Sequence, residues 1–169
     1  MPTSVHPLSD PATAEIDKDL LGVWAVDGEE NFTVLHVTEG ITGQLEVVMV
    51  VHKDKGYELS QLRAFSSHIA GAHCLNIQLI EDAQASPELL FARYELAGGD
   101  ALKLFLPDAE WLSKAIEDEK LAGEVGRSGD GAMQTIKLTA TTDELAKFFE
   151  AHSAEMFKET RVLKRMVAK

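Results

Sequence analysis

Between residues 20 and 106 the chain alternates short β-rich runs with separators too short to hold a helix. The runs cover residues 20–26, 32–37, 44–52, 58–66, 74–80, 90–96 and 102–106. Between them stand "DGEEN", "TEGITG", "KDKG", "IAGAH", "EDAQASPE" and "AGGD", all rich in turn-forming Gly, Asp, Asn and Ser. A parallel strand pair needs a crossover of about a dozen residues or more, and none of these gaps supplies one. Strands joined in this way form an antiparallel meander, which must curl into a barrel or fold into a sandwich to cover its edges.

The alternation within the runs says which faces are covered. In "LFARYELAGGDALKLFLP", Leu90, Ala92, Tyr94 and Leu96 share one face, and Leu102, Leu104 and Leu106 form an apolar row after the turn. That is a hairpin with one buried face. "LEVVMVV" is apolar on both faces, so its outer side also requires a cover, for which a helix is the candidate. Two segments carry helical periodicity instead. Asp108 is placed to N-cap a helix with Trp111, Leu112, Ala115 and Ile116 on one face. Thr141 and Glu144 have capping-box spacing, ahead of Leu145, Phe148, Phe149, His152 and Met156 on a common stripe. A further run at 133–139 and a closing "RVLKRMV" read as strands. "GEVGRSGDG" precedes the first of these and reads as a flexible hairpin loop. Residues 1–18, with three prolines, read as an extended leader to a single domain over 19–169.

The net charge of −12 argues against nucleic acid as a partner, because binding it relies on Lys and Arg neutralising phosphates. It also argues against electrostatic attachment to anionic lipid. The single cysteine, Cys74, excludes an internal disulfide and a thiolate-rich zinc site, and its strand setting predicts a buried, inert thiol. The longest strongly apolar run, residues 47–51, is far too short to span a bilayer. The first residues lack the basic and apolar regions of a signal peptide, so the expectation is a soluble chain.

Gly22-Val23-Trp24, at the start of the first strand, resembles the G-x-W signature of lipocalin-like barrels. In those proteins the glycine permits a tight bend at the closed end and the tryptophan plugs it. The resemblance implies a basic residue from the last strand over the ring, with Arg161 or Arg165 in position to serve. The order of elements is similar too: meander, late helix, final strand. The expected fold is therefore mainly β, an antiparallel meander closing into a lipocalin-like barrel, with two short α-helices in the C-terminal half. "HPLSDPATAEIDKDLLGVW", "HCLNIQL", "FARYEL…GDALKLFLPD" and "TATTDELAKFFEAHSAEMF" also look like a group of bacterial proteins of unknown function. Many of these resemble exported lipoproteins, in which a "PLSDP…LLGxW" stretch follows a lipid-bearing cysteine. The resemblance implies a cell-envelope or periplasmic location if such a signal was removed upstream, and a cytoplasmic one otherwise. It brings no activity.

No catalytic constellation emerges. There is no G-x-S-x-G, and the Gly-rich segment lacks the Lys-Ser/Thr of a phosphate loop. No H-x-H or H-E-x-x-H spacing joins the six histidines, so no metal ligand and no cofactor is assigned; His68 and His73, flanking "IAGA", are the pair to watch. The expectation is a non-enzymatic protein holding a small apolar or amphipathic ligand, with Phe32, Val34, Met49, Leu62, Tyr94 and Leu104 as lining residues chosen from strand faces. The alternative is a filled barrel that serves a protein partner, or an envelope structure, through its outer surface.

Overall fold

The computed structural model describes residues 1–26, 32–40, 43–127 and 134–166. In chain order its elements are β1 (Thr3–Ser4), β2 (Gly22–Val26), β3 (Thr33–Glu39), β4 (Leu45–Lys53), β5 (Gly56–Ile69), β6 (Ala72–Glu81) and the two-residue β7 (Gln84–Ala85). There follow β8 (Leu90–Ala97), β9 (Ala101–Pro107), α1 (Ala109–Glu117), β10 (Gly123–Arg127), β11 (Gln134–Leu138), α2 (Thr142–Met156) and β12 (Phe157–Arg165).

Eight of the strands form a closed antiparallel barrel. β2, β3, β4, β5, β6, β8 and β9 each pair with the next, and β12 closes the ring by lying between β9 and β2. The meander read from the short separators is thus a lipocalin-like barrel, and closure leaves its wall without the unpaired edges that an open sheet presents. Register places Leu35, Val37, Leu45, Val47, Leu62, Ala64, Leu75, Ile77, Leu102 and Leu104 on one continuous inner face.

Of the run at 133–139, Met133 lies outside the described residues and Gln134–Leu138 are not part of that wall. Their strand, β11, pairs with β10 and with the leader strand β1 in a separate three-stranded sheet. The first five residues of "GEVGRSGDG" are β10, not loop; residues 128–131 lie outside the described residues. Two strands of this sheet, β10 and β11, and both helices are inserted between the last two barrel strands, and they pack on the outer side of the wall. A second core forms there from Phe65, Ile69, Cys74 and Phe91 of the wall with Leu112, Leu138, Leu145, Phe149 and Met156 of the insert. The extended leader binds the two parts: Leu8 is buried among these side chains, and its N–H donates to Asn76 Oδ1 at 2.7 Å.

Both helices start where side-chain caps satisfy their free N–H groups. Asp108 Oδ1 accepts from Trp111 N at 3.0 Å, and Thr141 with Glu144 forms the full capping box. The outer face of "LEVVMVV" has no helix over it: the helices pack on other wall strands, and Val48 and Val50 are half-buried beside exposed Tyr57 and Leu59. The cover that its two-sided apolar pattern predicts is absent among the described residues, because the insert packs against β5 and β12 instead.

Candidate functional site

The closed end is built from the G-x-W stretch. Gly22 has φ +130°, a region that side chains disfavour, and a Cβ there would stand 3.0 Å from Arg165 Nη1. Trp24 is fully buried, and its indole Nε1–H donates to the Leu20 carbonyl at 2.8 Å. The guanidinium over its ring belongs to Arg165, 4.3 Å from the ring centroid, and not to Arg161. Arg165 pairs directly with Trp24 across β2 and β12, whereas Arg161 lies four residues towards the other end, opposite Leu104. Arg165 also donates to the carbonyls of Leu21 at 2.6 Å, Asp19 at 2.5 Å and Gly99 at 2.9 Å. One side chain thereby ties the 3₁₀ turn at Lys18–Leu20, the β8–β9 turn and the tryptophan together.

Above this plug lies a cavity of about 80 Å³. Its floor is Leu20, and its walls are Leu35 and Val37 of β3, Leu45 and Val47 of β4, Leu62 and Ala64 of β5, Leu75 and Ile77 of β6, and Leu102 and Leu104 of β9. Every lining side chain is aliphatic. Within the inward row Leu45, Ala64 and Leu102 are buried, Leu35, Leu62 and Leu104 are half-buried, and Leu79 is 37% exposed. The cavity wall itself has no polar side chain to hold water, a state that an apolar ligand relieves. Polar residues, Ser60 opposite Met49 and Arg161 opposite Leu104, join the inward row only outside that lining.

The six residues expected to line the interior divide by position. Leu62 and Leu104 line the cavity. Met49 follows Val47 on the same inner face and pairs with Leu35. Tyr94 is buried in the inner core, and its hydroxyl donates to Asp17 Oδ2 at 2.9 Å; burial holds the phenol well above its ordinary pKa. Val34 and Phe32 are not part of the lining. Val34 alternates with Leu35 and so faces outwards, and Phe32 is 46% exposed with its ring against His52. Strand alternation missed Leu20, which reaches the cavity from the 3₁₀ turn and not from a strand.

Outside the barrel interior, Cys74 is buried in the second core, and burial pushes its thiol up to about 11 against the opposing charge of Arg93. At neutral pH it is a protonated thiol and not a nucleophile. A groove between α1 and α2 holds three rings in mutually tilted contact, Trp111, Phe148 and His152, but its charges are mixed: Lys114 and Lys120 line it with Asp118 and Glu155. No described helix is long and apolar enough to cross a membrane. Comparison with protein-family models, with curated proteins and with solved structures finds no match, so the likeness to lipoprotein-like bacterial proteins gains no support from them.

Proposed function

We propose that the protein is a non-enzymatic holder of one slim apolar or amphipathic molecule, taken apolar end first into the barrel above Trp24. The observation that carries this reading is the all-aliphatic cavity, above which the inward row continues with Met49 and Leu79 and, nearer the mouth, the polar Ser60 and Arg161. Its size sets the class of ligand. Pockets for drug-sized molecules measure about 300–1,000 Å³; about 80 Å³ takes only the end of a chain or a very small molecule. Each buried methylene contributes about 0.8 kcal/mol, and binding at the millimolar level already requires about 4 kcal/mol. A useful affinity therefore needs the ligand to continue along Met49, Leu79 and the other inner residues nearer the mouth.

Native mass spectrometry of the freshly purified chain, compared with its denatured mass, tests this reading. The expected result is an adduct of a few hundred daltons that disappears on denaturation, or appears when a medium-chain fatty alcohol is added. A clean mass under both conditions overturns it. The second reading, a module that docks a protein on its outer face, is favoured by one observation: Tyr57 at 69% exposure and Leu59 at 55% extend the apolar outer row of Val48 and Val50.

A further inference from the structure

The β5–β6 hairpin runs past the barrel's closed end, and its last inward-row positions are His68 and His73. The two residues are directly opposite in register, both are exposed, and their rings meet edge to face with centroids 4.3 Å apart. The turn that brings them together is tight. Ala70 and Gly71 take φ +52° and +79°, the left-handed pair that a two-residue hairpin loop demands, and Ala70 does so with a side chain. The His73 ring lies against Tyr94, centroids 5.3 Å apart, and Tyr94 is itself fixed by its hydrogen bond to Asp17. One imidazole is thus backed by a rigid neighbour, and the other stands against it.

We propose that His68 and His73 form a two-imidazole site for a divalent transition-metal ion, each giving one ring nitrogen. Two nitrogen ligands on a tetrahedral ion stand about 3.3 Å apart, a separation that two rings in contact reach by rotating their exposed edges. Imidazole selects Cu²⁺, Ni²⁺ and Zn²⁺, with Cu²⁺ the tightest, over the oxygen-seeking Mg²⁺ and Ca²⁺. Among the described residues no third His, Cys, Asp or Glu completes the set, so the remaining positions on the ion stay open to water or a small ligand. The site is of the exchangeable kind, unlike a closed four-ligand structural zinc. His36 and His52 occupy the outer wall and His152 pairs with Glu155, so none of them has this arrangement.

The test is calorimetric titration of the full chain with CuCl₂ and NiCl₂ alone, for the parent protein, His68→Gln, His73→Gln and the control His36→Gln. The expected result is one ion per chain, with affinity lowered at least about tenfold by either hairpin substitution and unchanged in the control, because a chelate loses its second contact in both cases. Single substitutions that halve the stoichiometry without changing affinity would identify two independent surface histidines and overturn the site. Cu²⁺ broadening of the imidazole proton resonances gives the same answer without any variant. Selective broadening of His68 and His73 supports the site, and equal broadening of all six histidines contradicts it.

Discussion

Arg165 shows how much a single side chain contributes at the closed end. It lies over Trp24 and donates to three carbonyls from two separate turns. A cation over an indole contributes about 1–2 kcal/mol when partly desolvated, and hydrogen bonds from a charged donor add to it. Arg165→Ala is expected to lower the unfolding free energy by about 2–3 kcal/mol in urea titration. Arg165→Lys is expected to recover less than half of that loss, since a single ammonium nitrogen cannot stand at the three separate positions from which Nε, Nη1 and Nη2 reach their carbonyls. A Lys variant as stable as the parent would mean that charge alone matters. Cys74 makes a prediction of the opposite kind. With its thiol buried and held near 11, it should resist iodoacetamide at pH 7.5 in the folded chain and react within minutes once the chain is unfolded. Fast labelling of the folded protein would contradict its placement in the second core.

At the scale of elements, Asp108 couples helix to barrel. It caps α1, and its other oxygen pairs with Lys158 of β12 at 2.8 Å. That hydrogen bond and the cap hold the carboxyl below its ordinary value of 3.8 in the folded chain. A depressed folded value means that the stabilisation is present above the unfolded value and is lost as the pH falls through the folded one. Asp108→Asn should therefore destabilise the protein at pH 7, with the gap closing as pH falls below about 4. A gap of constant size from pH 7 to pH 3 would assign the effect to packing. The caps themselves were readable, because Asp108 and Thr141–Glu144 are local signals at fixed spacing. The small sheet was not. β1 is two residues long, "GEVGR" carries one large apolar side chain, and Thr3 pairs with Lys137, a contact that no local pattern encodes. The run at 133–139 has the one-sided apolar pattern of a barrel strand, and only the pairing shows that it belongs elsewhere.

The whole molecule is a closed barrel with two cores, one inside the wall and one between the wall and the insert. The barrel was legible because the connections from β2 to β9 are local and its inner face alternates cleanly through residues 90–106, whereas the closing strand β12 arrives only after the insert. The lining was legible only where alternation selects one face. "FTVLHV" is apolar on both parities, so Phe32 and Val34 compete on equal terms with Leu35 and Val37, and the pairing of Trp24 with Leu35 decides between them. Arg161 and Arg165 likewise share a strand face, and only register assigns one of them to Trp24. The central claim is that the inner cavity, and not the outer apolar face, takes the ligand. Ala64 lines the cavity, and Ala64→Leu adds three carbons to it, a filling change of the kind that keeps or raises stability. The direct measurement is titration of the parent, Ala64→Leu and Tyr57→Ser/Leu59→Ser with a fluorescent medium-chain fatty alcohol. Saturable one-to-one binding that is lost in the filled variant and kept in the surface variant is the predicted result. Binding kept in Ala64→Leu and lost in the surface variant would contradict it.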